Sequence, residues 1–195
     1  LHLQALADHA ERHRFERTLL VATTAGAGRQ LLRALGLGPE DTVAFLLPNL
    51  PETAIALIAG MTACRVAPIN PLLEPEQISA LLRETGAKAL VTLKPFVKTD
   101  LAAKAAYAVR YAPDCRHIVE VGMAHHLKAP LRWVVPFLAP KRVTAGAARI
   151  HAWATETAGA RSDALDFRHD DGPDDVCALF HTGGTTGAPK AAIHR

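Results

Sequence analysis

Residues 43–93 read "VAFLLPNLPETAIALIAGMTACRVAPINPLLEPEQISALLRETGAKALVTL", and the hydrophobic period changes several times along them. The run 43–47 is continuously apolar and stops at Pro48-Asn49, the pattern of a short buried strand followed by a turn. Pro51 and Glu52 then open an alanine- and isoleucine-rich segment. This predicts a helix with proline in its first turn and a carboxylate beside its positive N-terminal dipole. The unit repeats: "RVAPIN" (65–70) reads as a second strand, "EPEQISALLRETGA" (74–87) as a helix stopped near Gly86, and "KALVTL" (88–93) as a third strand. In the helix, Ile78, Leu81, Leu82 and Thr85 recur at three- and four-residue steps and share one face. Strands alternating with helices predict the α/β class, a parallel sheet covered by helices.

Working outward, "DLAAKAAYAVRYA" (100–112) continues as a helix and "HIVEVG" (117–122) as a strand. Residues 43–123 therefore form one α/β subdomain. Before it, 1–42 read as a helical lead-in, with Gly26 and Gly28 in a flexible turn. After it the pattern breaks up over 124–172, where "HHLKAPLRWVVPFLAPKR" carries three prolines and "SDALDFRHDDGPDD" is acidic and turn-rich. This stretch is expected to be a connection or insertion. Residues 173–195 bring a last strand, "DVCALF" (175–180), and a loop. A sheet cut after that strand would expose its edge.

At 195 residues the chain is long enough for a domain with a proper core. It opens on Leu1 rather than Met, and Arg195 follows Lys190 by only five residues, so both ends read as cut. Hydrophobic residues make up 49% and charged residues 21%, which excludes a disordered tail. The net charge of +3 is spread without a run of like charges, which argues against a nucleic-acid partner. Cys64, Cys115 and Cys177 lie far apart with no C-x-x-C spacing, as expected of reduced thiols in the cytoplasm. The first twenty residues are too charged for a signal peptide, and the apolar run 53–64 is too short to span a bilayer.

The last strand runs into "FHTGGTTGAPKAAIHR" (180–195). Gly183, Gly184 and Gly187 permit backbone angles that a side chain forbids, so that successive N–H groups can turn inward as an anion nest. Thr182, Thr185 and Thr186 add hydroxyls, Pro189 stiffens the exit, and Lys190 brings an ammonium. Together these are the parts of a phosphate grip at the end of a strand, a common place for ligands in parallel sheets. The Walker A spacing G-x-x-x-x-G-K-[ST] does not fit, because Lys190 follows Ala188-Pro189 and precedes Ala191. The dinucleotide fingerprint G-x-G-x-x-G is absent too.

"TGGTTGAPK" does fit, at every position, the T-[SG]-G-T-T-G-x-P-K phosphate loop of the adenylate-forming superfamily of acyl-CoA synthetases, luciferases and peptide-synthetase adenylation domains. Residues 43–92 resemble the first nucleotide-side α/β unit of that superfamily, and the resemblance covers most of 35–123 and 174–195. It departs at Ala191, where many members carry glycine, and in "RTLLVATTAGAGRQLLRALG", a poor version of the usual early helix. Gly183 in place of serine, after Phe180-His181, looks like the fatty-acyl-CoA synthetases.

The resemblance implies part of a large N-terminal domain, and a reaction in two halves. A carboxylic acid, here a fatty or other aliphatic acid, is activated by ATP with Mg²⁺ to an acyl-adenylate, and coenzyme A then takes the acyl group. Thr182, Gly183, Gly184, Thr185, Thr186, Gly187 and Lys190 carry over as contacts to the ATP phosphates, and Lys190 as the charge that stabilises departing pyrophosphate. The superfamily's Mg²⁺ ligand, ribose-binding aspartate and C-terminal lysine fall beyond Arg195, so the chain alone is expected to be inactive. The alternatives are an adenylating domain that loads a carrier protein and a non-catalytic nucleotide-binding remnant.

Three smaller features have plainer readings. His181 at a strand end is expected to be satisfied by neighbouring backbone, His125-His126 to form a solvated turn rather than a metal site, and the cysteines to lie in the core. "LRWVVPFLAP" (131–140), flanked by Lys128, Arg132, Lys141 and Arg142, could make a peripheral contact with a membrane surface. Its prolines argue against a regular amphipathic helix and favour packing onto the domain or a substrate-side loop.

Overall fold

The computed structural model describes residues 24–97, 99–159, 175–182 and 190–195. Residues 24–34 are helical (α1). There follow β1 (Thr42–Leu46), α2 (Pro51–Ala63), β2 (Arg65–Pro68), α3 (Pro75–Glu84), β3 (Ala87–Leu93), α4 (Leu101–Arg110) and β4 (His117–Val121). Next come the one-turn α5 (Leu131–Val134), β5 (Arg149–Ala152), α6 (Trp153–Thr157), β6 (Ala178–Thr182) and β7 (Lys190–His194). The seven strands form one sheet in the order β5-β4-β3-β1-β2-β6-β7. Every pairing is parallel except β6–β7.

The order reverses at β1, with β2 on one side and β3, β4 and β5 on the other, which makes the carboxyl ends of β1 and β3 a topological switch point. β1 is buried throughout, and β3 is buried except at Lys88, as the continuous apolar runs required. Inside the sheet the Thr92 hydroxyl donates to the Leu46 carbonyl at 3.2 Å. The helices start where the sequence placed them. Pro51 and Pro75 sit in first turns, and at α3 the Glu74 N–H donates to Gln77 Oε1 at 3.0 Å in a capping box. Gly86, at φ +60°, then turns the chain into β3.

Three expectations change. Gly26 and Gly28 lie within the helical residues 24–34 rather than in a flexible turn. A Cβ on Gly28 would stand 2.6 Å from Trp153 Cη2 and 2.8 Å from Ala59 Cβ, so glycine there lets α1 approach α2 and α6. The stretch 124–172 contributes β5 and α6, and β5 joins the sheet as a parallel neighbour of β4. The strand expected at 175–180 spans 178–182, and β7 pairs antiparallel along it, covering the edge that the sequence left open. Among the described residues, no helix is long and apolar enough to cross a membrane.

Candidate phosphate-binding site

The sequence motif lies at a hairpin. β6 and β7 pair in register from Ala178↔His194 through His181↔Ala191 to Thr182↔Lys190, so the first and last residues carried over as phosphate contacts face each other across the ladder. Opposed residues in such a ladder have Cα atoms about 4.5–5.5 Å apart. Residues 183–189 join these paired ends. Gly183, Gly184, Thr185, Thr186 and Gly187 lie outside the described residues, and Thr182 and Lys190 are placed by their backbone.

The root of the hairpin is tied on both sides. The Val66 N–H of β2 donates to the Cys177 carbonyl at 3.0 Å, and the Cys177 N–H donates to the His194 carbonyl at 2.9 Å. Phe180 meets the His194 ring edge-on, with centroids 4.9 Å apart. Among the described residues, the hairpin joins the rest of the sheet at the β2–β6 pair Val66↔Ala178.

His181 departs from its expectation. Both ring nitrogens are buried, and neither has a hydrogen-bond partner among the described residues. A neutral imidazole presents one donor and one acceptor, and leaving both unmet in a buried setting is costly. A half-buried imidazole with both nitrogens buried and unmet beside the motif is a candidate ligand contact. Its adjacency to Thr182 was legible in sequence, but its lack of local partners was not.

Other polar groupings escaped the sequence reading because they join distant residues. His126 Nε2 meets Glu52 at 2.8 and 2.9 Å, so the residue expected in a solvated turn pairs with the carboxylate at the start of α2, on the carboxyl side of the sheet. The side chain of His125 lies outside the described residues. On β4, Glu120 is buried and accepts a 2.5 Å bond from Arg142. That pair lines a cavity of about 230 Å³ walled by Ala102, Ala106, Ile118 and Val143. His117 Nδ1 lies 3.1 Å from His151 Nε2, and His151 Nδ1 lies 3.5 Å from Glu156. Burial, then the neighbouring His151, Arg149 and Arg116, pushes the His117 pKa down.

Cys64 and Cys115 are buried free thiols, as expected, while Cys177 is half-buried. Burial pushes both buried thiols up to about 12, which leaves them protonated and inert as nucleophiles. Among the described residues no group of three or more His, Cys, Asp or Glu could hold a metal ion.

A mostly parallel, helix-covered sheet whose strand β6 runs into a glycine- and threonine-rich sequence defines an α/β protein with a candidate phosphate motif. The comparisons narrow that class. The profile described as "AMP-binding enzyme" matches residues 21–195, and the chain belongs to that family. It is 30% identical over 164 residues to the marinolic acid–CoA ligase of Pseudoalteromonas sp. (strain SANK 73390), covering 84% of this chain and 22% of that protein. It is 28% identical over 166 residues to the long-chain-fatty-acid–CoA ligase of Bacillus subtilis (strain 168), covering 83% and 29%. The chain thus spans less than a third of these relatives. Among solved structures, the anthranilate CoA ligase AuaEII in complex with anthranoyl-AMP superposes with a TM-score of 0.66 at 19% identity, over 89% of this chain and 28% of that one. The Mycobacterium tuberculosis fatty acyl CoA synthetase gives 0.56 at 20% identity, over 90% and 28%. At these identities the structural likeness shows the fold.

Proposed function

We propose that the chain supplies the phosphate grip of an AMP-forming acid–thiol ligase acting on a fatty acid. One observation carries the reading: the nine-residue match "TGGTTGAPK" begins and ends on residues that face each other in the β6–β7 ladder. Membership of the AMP-binding family and relatives named long-chain-fatty-acid–CoA ligase in several bacteria support it.

In the reaction the acid's carboxylate oxygen attacks the α-phosphorus of ATP. The bond from that phosphorus to the bridging oxygen breaks, and pyrophosphate leaves with the electron pair. The sulfur of coenzyme A then attacks the acyl carbon, expels AMP and loses its proton to solvent. Negative charge builds on the β- and γ-phosphates as the first bond breaks. The N–H groups of Gly183, Gly184 and Gly187, the hydroxyls of Thr182, Thr185 and Thr186, and the Lys190 ammonium stabilise that charge, most strongly in the transition state. No general base is required, since the carboxylate is already a nucleophile. Mg²⁺ bound to the ATP substrate would screen its phosphates.

We place the protein in the cytoplasm, where the buried free thiols of Cys64 and Cys115 stay reduced. The reaction is tested by ATP–pyrophosphate exchange with a panel of fatty acids, in a protein of the relatives' length that contains this chain. Exchange dependent on a fatty acid is expected. Exchange with no acid of the panel, while ATP still binds, would leave a nucleotide-binding module and overturn the ligase reading.

A further inference from the structure

We propose that residues 128–141 form a docking surface for an anionic lipid bilayer, and the proposal is independent of the reaction above. Of this segment, which was expected to pack onto the domain or to form a substrate-side loop, only Val135 packs onto the domain between 131 and 138. From 131 to 138 every residue is exposed except Val135. Trp133 is 64% exposed and Phe137 90%, with Leu131, Val134 and Leu138 also open to water. The prolines do limit the helix, to α5 and a following 3₁₀ turn at Val135–Leu138. Those turns are nevertheless held in place: Val135 is buried, and the N–H groups of Arg132 and Trp133 donate to the Lys128 and Pro130 carbonyls. Five large apolar side chains in water at one short segment form the kind of patch that marks an interaction site.

Charge identifies the occupant. Between Glu120 and Glu156 the sequence has no Asp or Glu, while Lys128, Arg132, Lys141, Arg142 and Arg149 fall in that interval. Arg142 is committed to Glu120. Lys128, Arg132 and Lys141 are exposed, and no carboxylate among the described residues pairs with them. The core of a protein–protein interface is depleted of lysine. A bilayer interface accepts the opposite mixture: tryptophan sits at headgroup level, aliphatic and phenyl groups reach the acyl boundary, and cations snorkel to anionic headgroups.

Vesicle binding by the full chain tests the surface, with phosphatidylcholine alone and with phosphatidylcholine mixed with phosphatidylglycerol. Trp133 is a built-in reporter, because the only other tryptophan, Trp153, is buried. Binding to the mixed vesicles is expected, with a blue shift of emission that Trp133→Phe abolishes and with affinity that falls as salt is raised. Each cation near an anionic surface contributes roughly fivefold, so Lys128→Ser/Arg132→Ser/Lys141→Ser should weaken binding about a hundredfold. Trp133→Ser/Phe137→Ser should weaken binding to both lipids. All five side chains are exposed, so these variants should keep the parent circular dichroism, and the salt series on the unaltered chain decides the matter if one does not. Absence of binding, equal binding to both vesicles, or a self-associating chain that Trp133→Ser/Phe137→Ser turns monomeric without any vesicle binding would overturn the proposal.

Discussion

Replacing Gly60 by alanine should destabilise the protein, although alanine is the better helix former. Gly60 lies inside α2, where the exchange by itself gains about 1 kcal/mol. Against this, the new Cβ would stand 2.6 Å from Val66 Cγ1, 2.9 Å from Phe45 Cζ and 3.2 Å from Val43 Cγ1, where carbon atoms normally rest about 3.5–4.0 Å apart. All three neighbours are buried, and two are β-branched with stiff χ1, so none can simply swing into solvent. Overpacking of a filled core costs about 1–3 kcal/mol, and three simultaneous close contacts put this site toward the upper end. The net loss is then about 1–2 kcal/mol, and at about 2–4 °C per kcal/mol for a chain of this length the melting midpoint falls by roughly 2–8 °C. Val66 also carries the hydrogen bond that ties β2 to β6, so hydrogen exchange at its amide should speed up as well. Two controls isolate the cause. Gly159 has nothing within 4 Å of its virtual Cβ, so Gly159→Ala should be neutral or slightly stabilising. Val66→Ala removes the nearest clashing atom, so the Gly60→Ala/Val66→Ala double variant should lose less than the sum of the singles, by at least about 0.5 kcal/mol. A melting midpoint for Gly60→Ala at or above the parent value would refute the reasoning.

Four further outcomes are expected. In a protein of the relatives' length, Lys190→Ala should slow acyl-adenylate formation by about a hundredfold, the usual loss for one preorganised charge, with acid affinity little changed; parental rates in rapid-quench assays would remove Lys190 from the grip. The His117 pKa is held below its ordinary 6.5 by burial and its cationic neighbours, so the unfolded chain binds more protons there. Its contribution to stability is therefore full above pH about 6.5 and fades as pH falls through the depressed value, and denaturation midpoints across that range should flatten in His117→Gln. Arg142→Ala leaves the Glu120 carboxylate buried without its partner. Removal of one partner of a fully buried pair costs about 3–5 kcal/mol, but Arg142 is half in water, so a loss of about 2 kcal/mol is expected, largely restored by adding Glu120→Gln. His181→Phe removes two unmet polar atoms and should leave the ligand-free melting midpoint unchanged or higher while shrinking the shift produced by ATP; a full ATP shift in the variant would make His181 a packing residue.

What the sequence showed and what it hid divide along one physical line. β1 to β4 were legible because a strand buried on both faces must be apolar at every position, and 43–47, 88–93 and 117–122 are close to that. β5 was not, because "RIHA" is an edge strand with only His151 partly covered, and an edge imposes no such pattern. Gly28 looked like a turn because its reason for being glycine is Trp153, a residue 125 positions away that closes on it in space. The Glu52–His126 contact, 74 residues apart, is invisible for the same reason. The prolines of 131–140 predicted the broken helix correctly but could not place its side chains, since they govern backbone and say nothing of what the side chains meet. The phosphate motif was legible because its requirements are local: glycines for backbone freedom, hydroxyls and an ammonium within nine residues. Its mounting is not local. Thr182 and Lys190 face each other only because β7 returns along β6, and among the described residues β6 pairs with β2 at Val66. The chemistry proposed for the motif is therefore written locally, while its position depends on the packing of α2 against β2, which is why a methyl group at Gly60 should be felt at the far end of β6.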